Sequence, residues 1–479
     1  MRVAGVGAYV PRFRLRAEAV ADALGQFHAR GVEQVAVPDA DEDALTMAAE
    51  ASERALDAAG LDTEEVDALH LASTTLPYDE EGATGRLRSL LGLGERTESA
   101  QFGGSTDAGG AALAAALERG DPTLVVASDA PRGADDEALG HAAGAGAAAV
   151  VLAADGPGRI AGRGSQTTTY PGTRFRERGS AEATGLGVTS YDRQAFRETL
   201  AGAVADLDTE SVDAAALQAP DGDLPYRAAG ALGLDAETVA AGSVVQRVGD
   251  AGAASALLGL ADALRDGAEQ PLLATFGSGA ASHAFRFVCE SAVPVRATID
   301  GNRQLSFAGA RRRRGNFDSG APEGGGAYVS VPSYRRTLAA RHRLVAGRCR
   351  DCGALRFPPE GACGDCTSTD GYEDAPLRRR GTVETVTTIS QGGAPPEFAP
   401  QQARSGEYAS AIVAFEAQGG GGEEEGEDGE VSVPVQVVLA DEDAPGIGDD
   451  VVAVPRVLYD QEGVRRYGAK AVPASSRRR

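Results

Sequence analysis

The sequence predicts an α/β body made of two similar halves, followed by a metal-stapled ribbon and a small β-barrel. Three observations carry that reading. Apolar strands alternate with helical segments through the front two thirds of the chain, a Gly-Ala motif recurs, and four cysteines sit in two close pairs near the end.

The first strand is short and apolar, VAGVGAYV. From Asp43 to Ala59, residues Leu45, Ala48, Ala51, Ala55 and Ala59 share one helical face. A strand (DALHLAS), a polar loop, a helix over residues 80–91 and the run QFGGSTDAGGAALAAALERG follow. The buried strand LVVAS and a second, AGAGAAAVVLA, complete the half. The pattern then repeats. Asp107-Ala-Gly-Gly is answered by Asp250-Ala-Gly-Ala, each opening an alanine-rich helix, then an apolar strand (LVVAS, LLATF) and a glycine hairpin. The two halves are read as residues 1–165 and 166–330, the repeat itself ending near 295. Their small residues imply closely packed central helices. Residues 296–345 read as a linker ending in an arginine-rich helix, YRRTLAARHRLVAGR. Ribbon (331–375) and barrel (376–475) come next. Within the barrel, the acidic Gly/Glu loop 419–430 reads as a disordered, solvent-facing insertion. Gly468 reads as a strand end or a bulge.

Acidic residues outnumber basic ones 70 to 46, and of those 46 only Lys470 is lysine. A net charge of −24 with no Trp fits a salt-loving organism, in which salt screens the self-repulsion. No basic stripe rises above that background, which argues against nucleic acid. Arg311 to Arg314 could meet a phosphate, although a solvated loop is the plainer expectation. No apolar run approaches the roughly 18 residues of a membrane span, and no signal-peptide pattern is present. A cytoplasmic location is expected.

Cys349-x2-Cys352 and Cys363-x2-Cys366 form two knuckles, with Gly353 and Gly364 beside them for turn flexibility. Four thiolates in two pairs suit a closed tetrahedral Zn²⁺ site that folds a segment with little core of its own. The same cage accepts iron. Cys289, in the apolar run FRFVCE, reads as a buried core thiol.

Several motifs resemble two known families placed end to end. GVGAYVPRFRLR, YPGTRF and FGSGAASHAF resemble archaeal 3-hydroxy-3-methylglutaryl-CoA synthase, a thiolase-fold enzyme. RCRDCGALRFPPEGACGDC resembles the zinc-ribbon and OB-fold protein that accompanies such enzymes. The resemblance implies a duplicated αβαβα body, a rubredoxin-like ribbon, an OB-fold barrel, a homodimer and a thiolase or other acyl-CoA enzyme as partner. It also implies where the chemistry should sit. The family's nucleophilic cysteine falls on Asp107, its glutamate base on Thr74, its histidine on Gln218 and its substrate-binding asparagine on Asp250. All four differ from the family pattern. A carboxylate at a helix start is expected to be a cap, and neither Thr74 nor Gln218 can act as a base. None of the five histidines is placed at the site by sequence; His283, in the glycine loop, reads as packing or surface, with a local role beside the former pocket as the lesser alternative. The expected function is a non-catalytic scaffold or acyl-CoA-binding subunit bridging partner enzymes. The alternative is an acyltransferase or other CoA-ester enzyme with altered residues, linked to isoprenoid or acyl-CoA metabolism, with Asp107 or Asp250 as base.

Overall fold

A computed structural model describes residues 1–317, 329–390, 394–418, 429–438 and 445–477. The chain divides into two compact units, Met1–Arg314 and Gly315–Arg479.

The first unit is built around a ten-stranded sheet. In its first half, Ala68–Ala72 pairs parallel with Thr123–Asp129, which pairs antiparallel with Gly146–Ala153. The second half repeats the arrangement. Ala215–Leu217 pairs parallel with Leu272–Ala274, and that strand pairs antiparallel with Gly279–Cys289. A parallel pair needs a crossover, and each crossover delivers one central helix: Ala108–Leu117 in the first half, Ser255–Arg265 in the second. The second helix is buried from Ser255 to Leu264. Its Leu257, Leu258, Leu260 and Leu264 each stabilise the core by about 1.5–3 kcal/mol. The two helices approach so closely that a Cβ at Gly109 would lie 2.5 Å from the Ala253 carbonyl oxygen. Small residues are therefore demanded there by backbone proximity.

The helix read from residue 43 runs Ala44–Ala59, with Asp43 accepting from the Leu45 and Thr46 amides as its N-cap. The helix expected over 80–91 is shorter, Thr84–Leu91, because the chain before it passes along a cavity wall. The segment 296–345 is not all linker. Val295–Thr298 pairs parallel with Arg2–Tyr9, and Arg303–Leu305 with Phe13–Arg16, so the first unit extends to Arg314. The Arg311–Arg314 run is no phosphate loop either. It lies at the end of the helix Phe307–Arg313, where Arg311 pairs with Asp135, Arg313 with Asp39, and Arg314 donates to the Ala143 carbonyl. Burial lowers the Arg314 pKa to about 10.

The second unit opens with helices Val331–Arg336 and Leu338–Arg343, where one arginine-rich helix was expected; they meet at Thr337. Val345–Cys349 and Leu355–Arg356 form the ribbon hairpin. The long strand Tyr372–Ile389 continues from the ribbon and pairs with both Tyr408–Ala417 and Asp450–Gln461. The whole is a seven-stranded sheet. Glu430–Val437 and Val464–Pro473 meet through one residue pair, Val437 with Ala471, so the sheet is thinly joined where a barrel would close. Gly468 does not end its strand; it marks a register irregularity between Val457 and Tyr459 of the partner strand. It pairs with Arg456 inside Val464–Pro473, and its missing Cβ leaves room for the Leu458 side chain and the Arg341 carbonyl. Most of the acidic loop 419–430 lies outside the described residues.

Candidate functional site

Asp107 immediately precedes the first central helix, yet its carboxylate does not cap it. Thr275 donates its hydroxyl to Oδ1 at 2.6 Å. The His283 Nδ1 lies 2.9 Å from Oδ2 and 3.1 Å from Oδ1. Thr275 follows the strand Leu272–Ala274 and His283 lies in Gly279–Cys289, so the second half supplies both partners of a first-half carboxylate. The cap expectation is corrected for that reason: stronger donors than the helix amides face the oxygens. A carboxylate on Nδ1–H fixes the imidazole tautomer and leaves Nε2 as the proton acceptor. The Asp107 side chain is 6% exposed and that of His283 24%. The pair is thus mostly buried on the carboxylate side and reachable on the imidazole side.

The remaining family-derived positions gather around Asp129, a buried residue ending the strand Thr123–Asp129. Its carboxylate accepts from the Ser73, Thr74 and Thr75 hydroxyls, each at 2.8 Å, and from the Thr74 and Ala253 amides, each at 2.7 Å. Every one of these donors is neutral. Gly252 takes a positive φ of 56°, and a Cβ there would lie 2.2 Å from an Asp129 oxygen. The second central helix consequently begins through a 3₁₀ turn, Gly252–Ala254. Gln218 donates to the Gly252 carbonyl at 2.9 Å. Asp250 pairs with Arg174 and accepts from the Gly252 amide and the Ser255 hydroxyl. The structure therefore links Thr74, Gln218 and Asp250 through Asp129 and Gly252, and holds Asp107 in a separate cluster with His283. Sequence reading missed Asp129, although an acid ending the apolar run LVVASD was a usable signal.

Beside the first central helix opens a cavity of about 520 Å³. Ser73, Thr74 and Thr75 line it from one side, and Ser105 and Thr106 from the helix start. Ser278 and the arginines Arg132, Arg174 and Arg176 also face it. Asp107, Gln218 and Asp250 are not among the lining residues. Thr106 reaches the wall, but its hydroxyl donates to the Phe276 carbonyl at 2.7 Å. Ser278 accepts from the Arg174 amide at 3.1 Å and from the Thr173 hydroxyl at 3.0 Å, pinning the arginine-bearing loop to the cavity.

In the second unit, the Sγ atoms of Cys349, Cys352, Cys363 and Cys366 all lie within 4.8 Å of one another. Cys349 to Cys366 and Cys352 to Cys363 are each 3.7 Å. Four sulfurs placed tetrahedrally at ~2.3 Å from Zn²⁺ would be about 3.8 Å apart, so the donor set fits the ion. The Cys366 amide, and after it the Asp365 amide, favour the Cys363 thiolate and bring its pKa down to about 7. Gly353 has the positive φ its turn requires, 77°, whereas Gly364 does not. Cys289 stands apart, half-buried, its pKa raised to about 11 chiefly by burial.

Comparisons with known proteins follow the same division. Residues 336–372 match the model of the ChsH2 rubredoxin-like zinc ribbon domain. The front of the chain is 30% identical to the hydroxymethylglutaryl-CoA synthase of Archaeoglobus fulgidus over 306 residues, covering 59% of this chain and 87% of the relative. The chain belongs to the hydroxymethylglutaryl-CoA synthase family. The synthase of Caldivirga maquilingensis is 32% identical over 320 residues, covering 62% of this chain and 90% of that protein. A solved hydroxymethylglutaryl-CoA synthase complexed with CoA superimposes with a TM-score of 0.59 at 18% identity, covering 69% of this chain and 94% of that one. Another, in complex with 3-hydroxy-3-methylglutaryl coenzyme A, gives 0.57 at 19%, covering 68% and 94%. These structures establish a thiolase-like fold for the first unit, here joined to a zinc ribbon.

Proposed function

We propose that this protein is a CoA-ester enzyme of the thiolase superfamily that works by acid–base chemistry instead of a cysteine acyl-enzyme. The observation carrying this reading is the Asp107–His283 pair, set one residue beyond the cavity wall at Thr106. No cysteine lies at the helix start, and a threonine hydroxyl bonded to a carbonyl is a poor nucleophile. An imidazole that gives its Nδ1–H to a carboxylate presents Nε2 as an acceptor, the arrangement a general base needs. In this reading the thioester's acyl group enters the cavity and His283 Nε2 takes a proton from the carbon next to the carbonyl. Asp107 balances the imidazolium that forms. This departs from the scaffold expectation, because a scaffold has no need of a carboxylate–imidazole pair; neither member lines the cavity, but Asp107 directly follows its wall residue Thr106.

The test is acetyl-CoA in heavy water, with methyl-proton exchange followed by NMR beside a binding titration. Exchange that falls about a hundredfold in Asp107→Asn and His283→Gln is expected. Tight binding without exchange would return the protein to the acyl-CoA-binding subunit. A stable acetyl adduct by intact mass would restore covalent acyl transfer.

The finer assignments belong to the same proposal. The cysteine cage holds one Zn²⁺ per chain, and metal content should collapse in Cys363→Ser. The last five long strands form an OB-type barrel that serves with the ribbon as a docking module for an acyl-CoA enzyme such as a thiolase. The body is a homodimer, to be tested by sizing in high salt, and the protein works in a salt-rich cytoplasm. No described helix is long and apolar enough to cross a membrane.

A further inference from the structure

One buried hydroxyl ties the two members of the Asp107–His283 pair together. Thr275 is fully buried, and its hydroxyl oxygen stands 2.6 Å from Asp107 Oδ1 and 3.2 Å from the His283 carbonyl oxygen. A hydroxyl has one proton to give, and the shorter, charge-assisted contact takes it. The same oxygen accepts the His283 amide at 3.3 Å, while the Thr275 amide donates to the His283 carbonyl at 2.9 Å. A single residue therefore holds the backbone of the histidine and the side chain of the aspartate. The first central helix closes over this arrangement. A Cβ at Gly110 would collide with the Thr275 hydroxyl and lie 2.9 Å from the His283 Cβ. Both Asp107 oxygens are within reach of Nδ1, and the one that Thr275 does not engage makes the shorter contact, 2.9 Å against 3.1 Å.

We propose that Thr275 is a positioning residue whose hydroxyl fixes the Asp107 carboxylate, so that His283 keeps its proton on Nδ1 and presents Nε2. For its effect on rate the proposal rests on the acid–base reading above; for its effect on the imidazole it does not. Thr275 is not among the residues lining the cavity, so it acts through Asp107 and His283 and not by touching a ligand. A valine has the same shape, but it would leave Oδ1 without this donor and the His283 amide without this acceptor. The carboxylate could then turn about its own axis, and the imidazole would lose its fixed partner.

The full chain is prepared with heavy nitrogen in its histidines, as wild type, Thr275→Val and Thr275→Ser. Heteronuclear NMR reads the protonation of each His283 ring nitrogen, and His283→Gln assigns the signals. Methyl-proton exchange of acetyl-CoA in heavy water is followed on the same proteins over a range of acetyl-CoA concentrations. Wild type is expected to show a protonated Nδ1 and a bare Nε2. Thr275→Val should show a mixture of the two tautomers. Its exchange rate at saturation should fall about tenfold, with the half-saturating concentration unchanged. Thr275→Ser should restore the wild-type tautomer and bring the rate back to within about threefold. An unchanged tautomer in Thr275→Val overturns the proposal. A change that Thr275→Ser does not reverse assigns the residue to packing and also overturns it. Exchange that is absent in wild type, or unaltered when the tautomer shifts, sinks the acid–base reading and upholds the positioning role. If Thr275→Val does not fold, Thr275→Cys, similar in size and a weak donor, is read in its place by the same criteria.

Discussion

The two Asp-Ala-Gly helix starts are alike in sequence and unlike in structure. Asp107 leads directly into Ala108–Leu117 and faces a threonine and a histidine from the other half of the body. Two residues after Asp250 a 3₁₀ turn opens on Gly252 at positive φ, and Asp250 faces an arginine. The duplicated fold supplies the same backbone twice; the neighbours then specialise each copy. Asp129 explains much of the divergence. It occupies the space a side chain at Gly252 would need and accepts the Ala253 amide, so it shapes the second helix start while also holding residues 73–75 at the cavity. One start faces a threonine and a histidine, and the other is locked onto an arginine.

The largest expected effect comes from removing the residue that separates them. Asp129→Ala would strand several buried donors at once, and a loss of about 4 kcal/mol is expected. Chemical denaturation in high salt measures it; a loss below about 1 kcal/mol would break the account of the divergence. Next, the two aspartates should separate by kind of effect. Asp250→Ala leaves Arg174 unpaired at a mostly buried position and should cost about 3 kcal/mol. Asp107→Asn keeps the Thr275 contact and should cost only about 1 kcal/mol, while cutting proton exchange from acetyl-CoA about a hundredfold. Equal stability losses and equal activity losses would mean that the two starts are not specialised.

The smallest effect is a pH dependence, and it tests the surroundings of both starts. His70 sits against the first central helix, Nδ1 being 3.0 Å from the Ala112 carbonyl. His141 accepts the His28 amide at Nδ1, and its own segment meets Asp250 through the Ala142 carbonyl. Burial is the main cause that lowers both pKa values below the ordinary value of about 6.5. A lowered imidazole pKa means the unfolded chain binds the proton more readily, so stability is full above about pH 6.5. It falls as pH drops from there toward the lower folded values. Both residues are buried, and each contributes at most the ~1.4 kcal/mol per pH unit of one fully linked proton. Melting temperatures between pH 7.5 and 5 should show the decline, and His70→Gln should flatten part of it. An unchanged slope would remove His70 from the account.

Much of the fold was legible because it is local. The helix Ala44–Ala59 followed from its apolar face, and the strand Thr123–Asp129 from an unbroken apolar run. The metal cage was legible because both knuckles lie within one short stretch. The strands Val295–Thr298 and Arg303–Leu305 escaped notice, since they are four and three residues long and exist by pairing with the first strands of the chain. His283 read as packing because its meaning depends on Asp107, 176 positions away.

By itself, then, the sequence determined the duplicated α/β pattern, the acidic character, the four-cysteine ligand set and the absence of cysteine from the first helix start. Each follows from residue identity and short-range spacing. Only the tertiary structure decided that Asp107 meets His283 and Thr275, that Asp250 is spent on Arg174, and that Arg176 stands at the cavity wall. Those outcomes depend on which donors long-range packing brings against a buried carboxylate, and packing is a property of strand order and register.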